Sequence, residues 1–442
     1  MRLQSITLQN MRLIGADPES IQFASGKNVA ILLGNNGCGK TSILDSIAFI
    51  SGAFLSQFPM IPDRLLSEWD VHQKADGHSA PYLSVEATFK VADDQNITAS
   101  RYRKGTGKAP ESNLKELKSY AAGLKQAVID GEPQVKMPVF AYYGTGRGQI
   151  TAPERKRNFQ KVFERWDCYK SALQPATDFK SFFAWFDLME DEERREGKAR
   201  RDYDYRLPAL EAVRRALSNF VGNRMADPRI ELHPLRFVMT EHDREGNGNR
   251  TLRIEQMSDG YKIVIAMVAD IASRMAEANP DMDDPLLSGG IIMIDEIDLH
   301  LHPLWQRNII RQLANTFPNV QFIVTTHSPI VVAGAADIAD VIPLRGGYSD
   351  EQAESTDISL MDIGQILLSD LFGLKSLRSP KWDDALRRRN DLLAKSELSP
   401  EEQSELEYLD AELADLEVGE TSDSIRANKL LAEIAKKLGI DG

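Results

Sequence analysis

A glycine-rich segment at residues 34–41, which reads Gly-Asn-Asn-Gly-Cys-Gly-Lys-Thr, limits the possible folds more than any other part of the sequence. It follows an apolar run at 28–33 and precedes apolar residues at helical spacing from about Thr41. In a strand–loop–helix unit of this kind, backbone N–H groups surround an anion and the helix N-terminus adds partial positive charge. The spacing G-x-x-x-x-G-K-[ST] therefore predicts a phosphate-binding loop.

The side chains of this loop have separate expected roles. Lys40 is predicted to reach the β- and γ-phosphates of a nucleotide, and the Thr41 hydroxyl to ligate Mg²⁺. Cys38 is expected to fill space, since a reactive thiol would need a lowered pKa. The predicted nucleotide contacts are the eight residues of the segment and the serine that follows it: Gly34, Asn35, Asn36, Gly37, Cys38, Gly39, Lys40, Thr41 and Ser42.

A second chemical signal is the apolar run at 291–294, which ends in the carboxylates Asp295 and Glu296. A fully buried strand delivers its polar residues at its carboxyl end, where open α/β sheets bind ligands. Asp295 is predicted to hold Mg²⁺ through water, and Glu296 to polarise the attacking water as general base or orienter. The alternative is a strand that ends in a solvated acidic turn.

A long apolar helix is predicted at 259–278, and Ser258 and Gly260 lie at its start. Ser258 is either an ordinary helix cap or a ligand of the γ-phosphate of an ATP held by another subunit. Its place about 35 residues before Asp295 favours the second interpretation.

The order of phosphate loop, Ser-x-Gly helix start, Asp-Glu strand and strand-end histidine resembles that of ABC-type ATPases. Residues 258–261 read Ser-Asp-Gly-Tyr, where transporter subunits usually carry Ser-Gly-Gly-Gln. The segments 8–12 and 294–306 are similar to those of RecF- and SMC-like ATPases. Within that class the chain looks most like compact ATPases of bacterial anti-phage systems such as Septu, because of Trp305-Gln306 and a short helical insertion. The resemblance covers roughly 1–60 and 139–345.

The resemblance also implies roles for individual residues. His327 matches a switch histidine that contacts the γ-phosphate, and Asp298 matches a loop that crosses a dimer interface. Arg12 is similar to an arginine near the nucleotide. Gln149 matches a glutamine near Mg²⁺, and Arg147 is a rival candidate for nucleotide contact.

His300 and His302 form an H-x-H pair, a spacing that can hold a metal. No third ligand is evident, and the resemblance explains both histidines as part of the Asp-Glu motif. We therefore do not predict a metal site there.

Apolar strands that alternate with helices predict an α/β fold, and the resemblance implies an ABC-type P-loop ATPase head. An antiparallel β subdomain is expected from a hairpin at 83–102, together with a helical insertion and a helical C-terminal tail. The further predicted strands are 2–13, 21–23, 139–143, 235–240, 252–255 and 321–326, and a helix is predicted at 303–316. Four parts are expected along the chain. An ATPase lobe with the phosphate loop and the hairpin spans 1–150, and a helical insertion spans 151–230. A second ATPase lobe with the Ser-x-Gly helix start, the Asp-Glu strand and the switch histidine spans 231–345, and a helical extension spans 346–442.

The net charge of −13 means that contact with nucleic acid requires a local basic patch. The candidates are 101–104, 155–157 and 194–201. The first, which includes Tyr102 on the hairpin, is the best candidate, and the last is expected to be a solvated helix face.

Two cysteines make no disulfide framework, and no stretch reaches the roughly 18 consecutive apolar residues that a membrane helix needs. We expect a cytoplasmic protein with no membrane contact.

The resemblance implies an ATPase with ATP and Mg²⁺ as cofactors, in which two copies sandwich two nucleotides and control a partner effector. That effector is expected to be a nuclease on a separate chain, because the region after His327 shows no acidic strand-end constellation. The main alternative is a RecF- or SMC-like DNA-repair or DNA-organising ATPase that acts directly on DNA. A transporter subunit and a non-hydrolysing scaffold are further alternatives.

Overall fold

The computed structural model describes residues 1–132, 135–148, 163–175, 180–222, 225–232, 235–242, 249–344, 358–395 and 398–413. They belong to two compact units, residues 1–349 and 350–442. The strands are β1 (Arg2–Gln9), β2 (Glu19–Gln22), β3 (Val29–Leu33), β4 (Tyr82–Lys90), β5 (Asn96–Lys104), β6 (Val139–Tyr143), β7 (Met225–Leu232), β8 (Leu235–His242), β9 (Asn249–Arg253), β10 (Gly290–Ile294), β11 (Val320–Thr326) and β12 (Ala339–Pro343). The helices are α1 (Lys40–Leu55), α2 (Lys115–Ile129), α3 (Lys180–Arg200), α4 (Pro208–Val221), α5 (Asp259–Ala278), α6 (Pro303–Thr316), α7 (Pro329–Ala335), α8 (Ile363–Leu368), α9 (Pro380–Leu393) and α10 (Pro400–Leu413).

A parallel sheet in the order β12-β3-β11-β10-β6 forms the centre of the first unit and confirms the predicted α/β core. Every residue of β3, β6, β10 and β11 is buried, as expected for strands covered on both faces. The phosphate loop follows β3, Asp295 follows β10 and His327 follows β11. The carboxyl ends of adjacent parallel strands meet at one edge, so these segments are brought together.

An antiparallel sheet in the order β2-β1-β4-β5 contains the predicted hairpin. Strand β1 ends at Gln9, earlier than predicted, because Asn10 and Arg12 have positive φ angles of 56° and 50° and turn the chain. Helix α2 was not predicted. It buries only Leu117 and Ala121 among its helical residues, so it contributes little to the core.

A third sheet, β7-β8-β9, packs against the aromatic part of α3. The Phe237 ring of β8 lies 5.8 Å from the ring of Phe182 and 5.5 Å from that of Phe186, between centroids. Strand β7 begins at Met225, inside the segment for which helices were predicted, and a register shift between Ala226 and Arg229 obscures its alternation.

The second unit contains α8, α9 and α10 among its described residues. Residues 399–402, which read Ser-Pro-Glu-Glu, predict a helix start. The structure confirms it, because Ser399 and Glu402 each accept a hydrogen bond from the other's backbone N–H. Ion pairs such as Arg388–Glu405 at 2.7 Å join α9 to α10. Residues 436–439, which read Lys-Lys-Leu-Gly, predict the end of a final helix, and they lie outside the described residues. Within the described part of the chain, no helix combines the length and apolar character needed to cross a membrane.

Candidate functional site

Side chains from four separate segments line one cavity of about 180 Å³ at the carboxyl edge of the parallel sheet. The lining residues are Arg12, Leu13, Asn36, Gly37, Gly39, Lys40, Thr41, Ser42, Asp295, Glu296 and His327. The fold thus brings together most of the residues predicted from separate motifs. Ser258 and Gly260 are not part of this lining, and Gln149 lies outside the described residues.

The glycines of the loop at 34–41 have conformational and steric functions. Gly37 and Gly39 have φ angles of 84° and 94°, a region that favours glycine. A Cβ at Gly34 would lie 2.5 Å from the Cys38 Sγ atom, so the thiol packs directly over this glycine. This contact agrees with a space-filling role for Cys38.

Lys40 and Thr41 begin helix α1 and point to different partners. The Lys40 Nζ atom donates to the carbonyl oxygens of Gly34 at 2.7 Å and Asn35 at 3.0 Å. The Thr41 hydroxyl donates to the Asp295 carboxylate at 2.9 Å. The ammonium is therefore held within the loop, and the hydroxyl is held beside the carboxylate.

Asp295 is almost fully buried and both of its carboxylate oxygens accept hydrogen bonds. One partner is Thr41, and the other is the Thr325 hydroxyl on β11 at 2.6 Å. Thr325 also accepts a hydrogen bond from the Glu296 backbone N–H at 2.7 Å. Sequence reasoning did not identify Thr325, because a threonine inside an apolar strand carries no distinctive pattern. A hydroxyl and an oriented carboxylate are hard oxygen ligands of the type that Mg²⁺ prefers, so these residues fit the ion.

Arg147 is one of the largest fully buried side chains and contacts the backbone behind the two acidic residues. It donates to the carbonyl oxygens of Gly144 at 3.0 Å, Asp295 at 2.6 Å and Glu296 at 2.6 Å. Burial lowers its pKa from the ordinary value, although the nearby charge of Asp295 acts in the opposite direction. The side chain expected to be a rival nucleotide contact therefore supports the strand end instead.

Arg12 lies at the rim of the cavity and is held by two carboxylates. Its guanidinium is 2.7 Å from Asp45 on α1 and 2.8 Å from Asp70. Burial acts to lower the pKa of Arg12, but the charges and hydrogen bonds of these two acids outweigh it and raise the pKa. This fixed cation lies beside the loop, where its positive charge would stabilise an anionic ligand in the cavity.

Ser258 occupies the cap position of α5, but its hydroxyl makes no capping hydrogen bond. Next to it, a Cβ at Gly260 would lie 2.7 Å from the His300 carbonyl oxygen, so this close approach requires glycine. The start of α5 therefore packs on the loop that follows Asp295 and Glu296. The Ser258 side chain of the same chain does not reach the cavity lining.

His327 lines the cavity directly after β11, while the neighbouring motif residues have structural partners. The Thr326 hydroxyl donates to Asp298. The His302 Nδ1 atom accepts from the Leu304 backbone N–H at 3.3 Å and caps α6. These contacts give His302 a place in the fold that needs no metal.

Of the 101–104 candidate for nucleic-acid contact, Arg101 does not present its guanidinium to a ligand, because that group is buried. It forms hydrogen bonds to both carboxylate oxygens of Asp63 at 2.9 and 2.7 Å and lies 4.2 Å from the Phe49 ring centroid. The candidate at 155–157 lies outside the described residues. Arg194 pairs with Glu190 at 3.1 Å within α3, in agreement with a charged helix face.

Two family models match the chain. One described as "AAA domain, putative AbiEii toxin, Type IV TA system" matches residues 173–333, and one described as "AAA domain" matches residues 5–218.

Known proteins are also similar to the chain. The Retron Vc95 probable ATPase of Vibrio cholerae serotype O1 biovar El Tor is 27% identical, over 75% of this chain and 71% of that protein. The Retron Ec83 probable ATPase of Escherichia coli is 28% identical, over 75% and 69%. The Septu protein PtuA of Bacillus mycoides (strain KBAB4) is 33% identical, over 40% and 24%. Among solved structures, an SMC head bound to the C-winged helix domain of ScpA aligns with a TM-score of 0.45 at 17% identity, covering 76% of this chain and 92% of that one.

Proposed function

We propose that the chain is an ABC-type ATPase of the RecF- and SMC-like class, in which ATP with Mg²⁺ closes two copies into a dimer that controls a separate effector. The support from known proteins is the similarity to two retron probable ATPases and to Septu PtuA, and the match to two AAA-domain models. Hydrolysis then removes the γ-phosphate and releases the closed state. The nucleotide thus acts as the differential ligand of a two-state switch.

The hydrogen bond between Thr41 and Asp295 is the observation that carries this proposal. It joins the phosphate loop to the Asp-Glu strand across 254 residues of sequence. Lys40, Glu296 and His327 line the same cavity. A γ-phosphate in this cavity is thereby near a cation, an acidic residue and a histidine at once.

Each side chain has a proposed task in the reaction. Lys40 binds the β- and γ-phosphates. Thr41 and Asp295 would hold Mg²⁺, and the ion would supply positive charge against the charge that develops on the phosphate oxygens. Glu296 orients and polarises the attacking water. His327 contacts the γ-phosphate. Phosphoryl transfer depends mainly on such positioning and electrostatic stabilisation, so displacement of any of these groups lowers the rate.

The position of Ser258 supports the proposed dimer. Its hydroxyl does not cap α5, and it lies outside the cavity of its own chain. We assign it to the nucleotide held by a second copy, where the N-terminus of α5 adds favourable partial charge for the γ-phosphate. Gln149 is assigned to the Mg²⁺ environment on the resemblance alone.

The proposed biological role is anti-phage defence, with a nuclease as the effector. Its support is the similarity to two retron ATPases and to PtuA. The alternative of direct action on DNA loses part of its best candidate surface, since Arg101 is buried against Asp63 and Phe49.

The test compares wild-type protein with Glu296→Gln and Lys40→Ala by light scattering after gel filtration, with phosphate release measured in parallel. Glu296→Gln is expected to form a stable dimer with ATP and Mg²⁺ but not with ADP, and to lose turnover. Lys40→Ala is expected to stay monomeric. A Glu296→Gln protein that stays monomeric with saturating ATP would refute the dimer.

A further inference from the structure

Tyr261 in the first turn of α5 and Trp305 in the first turn of α6 contact each other. Their ring centroids lie 4.8 Å apart with an interplanar angle of 69°, an edge-to-face arrangement. Tyr261 is one of the two residues at which the helix start departs from the transporter pattern, the other being Asp259. The tyrosine at this position therefore has a specific aromatic partner on a different helix.

Backbone packing brings the same two elements together. A Cβ at Gly260 would lie 2.7 Å from the His300 carbonyl oxygen and 3.7 Å from the Leu301 Cδ2 atom. The start of α5 is thus seated on residues 300–301, just before α6. A shift of that loop cannot leave the start of α5 unchanged.

Gln306, the next residue after Trp305, connects α6 to the segment that carries His327. Its side-chain amide donates to the Leu301 carbonyl oxygen at 2.9 Å and accepts from the Ser328 hydroxyl at 2.8 Å. The Ser328 hydroxyl also accepts from backbone N–H groups of α7, so it is held firmly in place. The first turn of α6 therefore contacts both the start of α5, which carries Ser258, and Ser328, which adjoins His327.

We propose that Trp305 and Gln306 are positioning residues that couple His327 to Ser258 within one chain. A γ-phosphate at His327 then sets the position of Ser258, which acts on the nucleotide of the second copy. This inference rests on the proposed function, because it assumes an ATP-dependent dimer. Closely packed contacts of this kind favour discrete arrangements over gradual deformation, which suits a switch.

The test measures ATP-dependent dimerisation by analytical ultracentrifugation in the Glu296→Gln background. Adding Trp305→Ala is expected to raise the dimer dissociation constant about tenfold, the upper range for loss of one aromatic pair. ATP affinity should change less than about twofold. It is measured with a fluorescent ATP analogue at protein concentrations below the dimer dissociation constant. Trp305→Phe, which keeps an aromatic ring, should restore dimerisation.

Two further variants separate coupling from misfolding. Tyr261→Ala is expected to weaken dimerisation, and its effect should not add to that of Trp305→Ala, because both remove the same contact. Gln306→Ala leaves the aromatic pair intact and should weaken dimerisation by breaking the Ser328 connection. Thermal unfolding checks the fold of each variant. If Trp305→Ala fails to fold, the dimerisation of Tyr261→Ala and Gln306→Ala tests the coupling instead.

The outcomes distinguish the two hypotheses. If Glu296→Gln alone does not dimerise with ATP, the proposed function and the coupling are both overturned. If it dimerises, and neither Gln306→Ala nor the folded aromatic variants weaken the dimer, only the coupling is overturned. Equal loss of ATP affinity and dimerisation would also overturn the coupling, since the residues would then act on the cavity itself.

Discussion

The guanidinium of Arg147 donates a 2.6 Å hydrogen bond to the carbonyl oxygen of Glu296, a residue whose φ angle is 46°. A positive φ is unfavourable for a residue with a side chain, so the surrounding contacts must maintain it. The Thr325 hydroxyl, which accepts from the Glu296 N–H at 2.7 Å, supplies the second restraint. The backbone of the proposed catalytic residue is therefore held by a buried cation that follows β6 and by a hydroxyl from β11.

Arg147→Lys should lower kcat for ATP hydrolysis by tenfold or more while ATP affinity stays nearly constant. Lysine cannot reproduce the forked donation to the Asp295 and Glu296 carbonyls, and unsatisfied buried acceptors cost about 1–3 kcal/mol each. Turnover and equilibrium ATP binding measure the two effects, with Arg195→Lys on the exposed face of α3 as control. Unchanged kcat in a folded variant would contradict the assigned role.

Thr41→Val should raise the Mg²⁺ concentration needed for half-maximal turnover by tenfold or more. The change removes the hydroxyl that lies 2.9 Å from Asp295 but keeps the shape of the side chain. Thr41→Ser, which retains the hydroxyl, is the matched control and should behave like the wild type. A magnesium titration of phosphate release provides the measurement, and equal curves for both variants would argue against Thr41 as a ligand.

Arg101→Ala should destabilise the protein by about 2–4 kcal/mol, because it leaves Asp63 without its partner and removes a cation from the Phe49 ring. Denaturant unfolding measures this loss. The exposed neighbour Lys104→Ala should change stability by less than about 0.5 kcal/mol. If Arg101→Ala instead keeps full stability and loses affinity for DNA, the structural assignment of this arginine is wrong.

Glu277 on α5 should make stability fall as the pH rises. Burial raises the pKa of its carboxyl from 4.5 to about 8, although the charge of Arg274 acts in the opposite direction. The folded protein therefore retains a proton that the unfolded chain releases between pH 4.5 and about 8, so unfolding becomes easier across that window. Glu277→Gln should flatten the dependence and raise Tm at pH 8. Thermal scans from about pH 5 to about pH 8.5 test this expectation, with the exposed Glu192→Gln as control.

Local interactions made much of the fold predictable. The predicted bounds of β6, α5 and α6 coincide with the observed ones. Their apolar spacing, helix caps and flanking turns are short-range features, so they can be read from neighbouring residues. Strand β7 was missed for the same reason, since a register shift obscures its local alternation. Helix α2, which buries few of its residues, was also missed.

The contacts that long side chains make could be identified only from the folded structure. The sequence identified the phosphate loop, the Asp-Glu strand and His327, because glycine spacing and an apolar strand ending in acids are contiguous patterns. It could not show that Arg147 turns to a backbone lying 148 residues away, or that Arg101 is buried against Asp63. Nor could it show that Tyr261 meets Trp305. An arginine contacts ligand, solvent or protein according to which acceptors the fold places around it, and those acceptors come from distant segments.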